Sequence, residues 1–203
     1  MKIRSDSFEN GARIDAQYAA GARTDGSVGF GGTRNPHLAW SDVPSGTQSF
    51  ALLCIDPDVP TDAAPHPIPR DQPRTDFIHW VMVDIPAGVT EIAAGSCSDS
   101  FQQGGKATPP GPAGARQGTN SYTAYFEGNP AMAGTYRGYD GPYPPPHDER
   151  LHRYAFRVFA LDVARLEVAE DFKAGDVLRA MQGHVLGEAS VHGTYSLNAD
   201  VRE

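Results

Sequence analysis

The sequence predicts a mostly-β protein with little helix. Three runs of strand length, a high content of turn-forming residues (Gly 22, Pro 17) and a single strong helical candidate point to that class. At 203 residues the chain suits one domain, 1–203, with a sizeable core, and is short for two.

The first strand is "SFALLCI" (49–55), a continuous apolar run bounded by "PSGTQ" and "DPDVP" and short enough for a buried strand. The second, "FIHWVMVDI" (77–85), has β-branched and aromatic residues on both faces and stops at Pro86. The third, "HRYAFRVFAL" (152–161), alternates, with His152, Tyr154, Phe156, Val158 and Ala160 on one face. "ASVHGTYSL" (189–197) reads as a further strand or edge. The helical candidate is 170–189, where Val177, Leu178 and Met181 recur at spacings of three and four and Gly183 offers a break. Two long Pro- and Gly-rich loops, at about 61–76 and 99–120, have the length of functional flaps.

Charge and motifs exclude several classes. The net charge is −8, the three lysines are Lys2, Lys106 and Lys173, and no basic run exists to follow a phosphate backbone, so nucleic acid is not an expected partner. No apolar run has the length of a transmembrane helix, and the N-terminus has no apolar secretory core. Cys54 and Cys97 form no framework and read as free thiols of a cytoplasmic protein, with a processed periplasmic protein as the alternative. "QGGKAT" lacks the upstream glycine and the Ser/Thr of a P-loop. No G-x-S-x-G elbow, H-E-x-x-H or cysteine-pair metal spacing occurs, so no cofactor or metal is expected. His37, His66, His147, His184 and His192 read as surface or structural residues.

The chemistry-bearing candidates sit at strand ends. In "CIDPDVP" (54–60), Pro57 and Pro60 disfavour helical geometry for the residues before them, so Asp56, Pro57 and Asp58 are expected to be extended with both carboxylates on one side. Alone, the triplet also reads as plain turn chemistry. His79 alone reads as a core or strand-end histidine, and His152 with Tyr154 alone as packing. Together, acids at one strand end and imidazoles at two strand starts can meet in one mouth. The stiff segment "YDGPYPPPHDERLH" (139–152) is a candidate wall, in which Gly141 permits close approach or a sharp turn.

Taken together, "NPHLAWSDVPSGTQSFALLCIDPDVPT" (35–61), "FIHWVMVDIPAG" (77–88), "YDGPYPPP" (139–146), "LHRYAFRVFALDV" (151–163) and "GHVLGEASVHGTYSLN" (183–198) resemble the phosphatidylethanolamine-binding proteins, closest to the bacterial Raf-kinase-inhibitor-like branch. The resemblance implies two packed antiparallel sheets with a small peripheral helical component. It also implies a small pocket that binds anions such as phosphate or the phosphoryl head of a phospholipid, without catalysis. By motif the pocket residues are Asp56, Asp58, His79, His152 and Tyr154, with Gly141, Pro142 and Tyr143 as the Gly-Pro wall. The wall-to-His152 spacing is longer here than in the family. The 61–76 loop is longer than in compact bacterial members and is expected to cover or narrow the mouth. The two acids are expected to orient the two imidazoles, whose other N–H groups then face the anion. A metal-dependent hydrolase using Asp56, Asp58, His79 and His152 is one rival. A protein-interaction or inhibitor scaffold with a vestigial pocket is another. Compact bacterial relatives suggest a homodimer; a protein partner modulated by the ligand is not identified by the sequence.

Overall fold

The computed structural model describes residues 1–201. Ten strands form, in chain order, β1 (Lys2–Arg4), β2 (Gly21–Thr24), β3 (Ser27–Phe30), β4 (Leu38–Ser41), β5 (Ser49–Pro60), β6 (Arg74–Pro86), β7 (Glu91–Ile92), β8 (Arg116–Gln117), β9 (His152–Leu161) and β10 (Val185–Tyr195). Two short helices, α1 (Tyr122–Tyr125) and α2 (Ala174–Ala180), lie between them.

The strands make a five-stranded antiparallel sheet ordered β10-β9-β5-β6-β8, a three-stranded sheet β1-β4-β7 and the hairpin β2-β3. The central strand β5 is flanked by β6 and β9 and buried on both faces, which is why its sequence is continuously apolar rather than alternating. Its residues divide by period two. Phe50, Leu52 and Cys54 join Leu38 and Trp40 of β4 in one core, with Trp80, Met82, Phe156 and Val158. Ala51 and Leu53 face the other core, with Val81, Val83, Phe159 and Leu161, closed by Phe172, Val177 and Met181 around α2.

The mostly-β expectation therefore holds, and the helical expectation for 170–189 is corrected. Helix occupies only Ala174–Ala180, its first turn fixed by the Lys173 N–H donating to the Asp176 carboxylate at 2.9 Å. At Gly183 the backbone turns into the left-handed region, φ +83°. From Val185 the chain pairs with β9 in register Val185↔Leu161 through Tyr195↔His152. The sheet edge offered by β9 outcompetes a weak helical spacing.

Candidate functional site

The site lies where β5, β6 and β9 end together. Strand β5 runs through the acidic triplet, and its pairing with β6 slips between Asp56 and Val59, a bulge at a proline that has no N–H to give the ladder. Asp56, Asp58, His79, His152 and Tyr154 are all buried, at 1%, 0%, 2%, 0% and 0% exposure. Asp56, His79, His152 and Tyr154 line a cavity of about 470 Å³. Tyr143 lines it too, followed by the stiff Pro144, Pro145 and Pro146, with Phe77, Tyr122, Tyr125, Phe126 and Phe30 supplying aromatic surface.

His152 is gripped from both sides. Its Nδ1 lies 2.7 Å from Asp56 Oδ2 and its Nε2 lies 3.1 Å from Asp148 Oδ2. Carboxylates accept, so both ring nitrogens carry protons and the ring is an imidazolium. Burial alone would push its pKa down, but the hydrogen bonds and charges of Asp148 and Asp56 outweigh burial and hold it at about 9. Burial likewise works to raise the Asp148 pKa, and its bonds to His152, Arg74 and the Arg150 N–H bring it to about 2. Arg74 clamps Asp148 through its two terminal guanidinium nitrogens. The result is an alternating row, Arg74–Asp148–His152–Asp56, with no net charge.

His79 is held differently. Its Nδ1 donates to the Asp140 carbonyl at 2.7 Å, and the Asp140 N–H returns a bond to the His79 carbonyl at 3.0 Å. Complete burial pulls its pKa below the usual value, against the charge of Asp56, so the ring is neutral at pH 7 with its proton on Nδ1. Asp140 is itself fixed by the buried Lys106, whose Nζ donates to Oδ1 at 2.6 Å, and by Asn120, which donates to Oδ2 at 2.8 Å. The Tyr154 ring stands 5.2 Å from His79 at 70°, and its buried hydroxyl makes no hydrogen bond of good geometry, with the Asp56 carboxylate close by. Burial, then the nearby Asp56 charge, keeps that phenol protonated.

These placements sort the residues singled out in the sequence. Asp56, His79, His152, Tyr154 and Tyr143 meet in the cavity; Asp58, Gly141 and Pro142 do not line it. Asp58 is buried in the expected alternation, but its carboxylate turns to Arg153 (2.9 and 3.0 Å) and Arg150 (2.9 Å), tying the end of β5 to the start of β9. Its N–H donates to Asp56 Oδ1 at 2.8 Å, which aims the Asp56 side chain. The expectation that each acid orients one imidazole is therefore corrected. Two acids, Asp56 and Asp148, hold His152; a main-chain carbonyl holds His79; and no N–H of His152 is left for a ligand.

Gly141 and Pro142 act from behind the wall. A Cβ on Gly141 would stand 2.2 Å from the Tyr18 carbonyl oxygen, so only glycine lets this segment lie against Ala19 and Ala20. The Gly141 carbonyl accepts from Tyr122 Oη at 2.9 Å, and the Pro142 carbonyl accepts from the Gly21 N–H at 2.9 Å.

Sequence reasoning read His147 and His66 as surface or structural residues, outside the site. His147 instead lines the cavity, and its ring stacks on His66 of the Pro-rich loop with centroids 3.6 Å apart. Ala63 of that loop also lines the cavity. Asp148, Arg74, Lys106 and Asp140 were missed. Only Asp148 carried a local signal, an acid four residues before His152 in "HDERLH". No group of three or more His, Cys, Asp and Glu suited to a metal exists among the described residues. No helix among them is long and apolar enough to cross a membrane.

Comparison with known proteins agrees with this architecture. The chain is 32% identical over 195 residues to a UPF0098 protein of Aquifex aeolicus, covering 96% of this chain and 88% of that one. It is 30% identical over 197 residues to the UPF0098 protein YbhB of Escherichia coli, covering 97% and 100%. Among solved structures it superposes on E. coli YbcL, described as a new member of the mammalian PEBP family, with TM-score 0.70, 26% identity and coverage of 96% and 97%. It also superposes on CT736 of Chlamydia trachomatis, described as a putative phosphatidylethanolamine-binding protein homologue, with TM-score 0.65, 28% identity and coverage of 96% of both chains. The sequence profile of one family spans residues 4–196, nearly the whole chain, and with it the fold and the strand-end site: the chain belongs to the phosphatidylethanolamine-binding protein family.

Proposed function

We propose that the cavity binds the phosphoryl group of a small molecule or phospholipid head group without turning it over. The observation that carries this reading is the pairing of Tyr154 and His79. A buried hydroxyl without a hydrogen bond of good geometry costs stability unless a ligand uses it, and this one lines the cavity beside an imidazole. A phosphoryl oxygen placed between them accepts from Tyr154 Oη and from His79 Nε2 once that nitrogen is protonated. The site holds no spare cation, so the anion recruits its proton: binding raises the His79 pKa and takes up one H⁺. Affinity for an anion then falls as pH rises.

Two observations support binding over catalysis. No Ser, Thr, Cys or Lys side chain lines the cavity among the described residues, and burial with the Asp56 charge keeps the Tyr154 phenol protonated, which makes it a poor nucleophile. Against the metal-dependent alternative, His152 carries protons on both nitrogens and Asp58 is committed to two arginines, which removes half of the ligand set. The family profile supports a binding scaffold in the same sense.

Calorimetric titration of inorganic phosphate into wild type and Tyr154→Phe tests the reading. The variant should fold at least as stably as wild type, because the lost hydroxyl makes no hydrogen bond of good geometry to the protein, and bind about tenfold more weakly. Absence of phosphate binding in wild type, or equal affinity in the variant, contradicts it.

A further inference from the structure

The aromatic side of the cavity carries a specificity that the phosphoryl site alone does not need. Phe77 of β6 and Tyr122 and Tyr125 of α1 all line it. Their rings are pairwise close to perpendicular: Phe77–Tyr122 at 5.0 Å and 77°, Phe77–Tyr125 at 6.2 Å and 76°, Tyr122–Tyr125 at 6.3 Å and 89°. Three mutually perpendicular rings form the corner of a box. On the other side, Tyr143 stands edge-on to Phe30 at 5.5 Å and 89°. Tyr125 and Tyr143 both line the cavity, so the two ring groups share one mouth.

These rings are not all core. Tyr125 is 70% exposed and Phe30 52% exposed, large aromatic surfaces left in water at the rim of a cavity. The charge of the lining is equally informative. Lysine and arginine are absent from it among the described residues, and its acid is Asp56. The one cation of the lining, the His152 imidazolium, is already held between Asp56 and Asp148, so the ring faces beside the carboxylate remain able to attract a further positive group.

The kind of cation follows from hydrogen bonding. A primary ammonium must replace its lost water with three acceptors. Here each Asp56 oxygen already accepts a short bond, Oδ1 from the Asp58 N–H at 2.8 Å and Oδ2 from His152 at 2.7 Å. A trimethylammonium has no N–H to satisfy and presents only methyl groups to the rings.

We propose that the Phe77–Tyr122–Tyr125 corner seats a quaternary ammonium, so that the ligand class is a zwitterion with a phosphoryl group at one end and trimethylammonium at the other, selected over the primary-amine analogue. This rests on the phosphoryl reading of the Tyr154–His79 floor and adds the second anchor. The choline-type preference resides in the aromatic corner; the anion requirement resides in the floor.

The test is calorimetry at pH 6.5 with inorganic phosphate, phosphoethanolamine, phosphocholine and 3,3-dimethylbutyl phosphate, the last an isostere of phosphocholine whose tert-butyl tail is uncharged. Wild type should bind phosphocholine about tenfold more tightly than phosphoethanolamine and more tightly than the tert-butyl isostere. In Tyr125→Leu, a change at an exposed position that leaves an apolar side chain, the phosphocholine-to-phosphoethanolamine ratio should fall toward one. Equal affinity for phosphocholine and phosphoethanolamine, with phosphate still bound, overturns the ammonium seat and leaves the phosphoryl reading standing. Equal affinity for phosphocholine and its isostere overturns it as well, since shape rather than charge is then being read. Binding of none of the four overturns both.

Discussion

The row Arg74–Asp148–His152–Asp56 makes stability depend on pH in a way that can be worked out. The His152 pKa rises from 6.5 to about 9 on folding. A raised folded-state pKa contributes stability that is fully present below the unfolded value and is lost as pH climbs through the folded one. Between pH 7 and pH 8.5 the linkage integral gives a loss of about 2 kcal/mol. For a chain of this size that lowers the urea midpoint by roughly 0.6–0.8 M. His79, whose pKa lies below 6.5, is neutral throughout this window and does not add to the slope. The Cys54 and Cys97 thiols, pushed up by burial, act in the same direction as the window's upper end is reached. Urea unfolding of Asp148→Asn over the same range supplies the reference, because it keeps both thiols and removes one of the two acids that hold the proton on His152. The wild-type slope should be at least twice that of the variant. A flat wild-type profile, or equal slopes, refutes the claim that His152 is a doubly held imidazolium.

Two further outcomes separate scaffold from site. Asp58→Asn should cost about 2 kcal/mol in chemical denaturation by loosening Arg150 and Arg153, while phosphate affinity by calorimetry changes less than twofold, since Asp58 lies outside the cavity lining. Lys106→Met should cost about 3–5 kcal/mol by leaving the buried Asp140 carboxylate uncompensated, and Lys106→Met with Asp140→Asn should recover at least half of that in the same assay.

Much of this was legible locally. The runs at 49–55, 77–85 and 152–161 became the three adjacent strands β5, β6 and β9, because a strand buried on both faces announces itself by composition. The prolines around Asp56 did signal extended backbone, and that backbone is part of β5. Short strands such as β1, β4 and β7 are two to four residues long and carry no periodicity to read. The error over 170–189 has the same origin: helical spacing is a local property, whereas the pairing that claims Val185 onward depends on β9 being there.

The site divides in the same way. His79, His152 and Tyr154 could be named from their places on strands. Lys106 meets Asp140 across 34 residues and Arg74 meets Asp148 across 74, distances over which sequence pattern is silent. The same is true of the aromatic corner, where Tyr122 and Tyr125 belong to a single helical turn whose packing on Phe77 only the fold reveals.

The most direct test of the central claim uses sulfate, a phosphate mimic that holds no proton of its own near neutrality. If an anion in the cavity must bring a proton onto His79, the sulfate dissociation constant rises about tenfold for each pH unit between 7 and 8, with one proton taken up per anion bound. A dissociation constant that stays level across that unit contradicts the account.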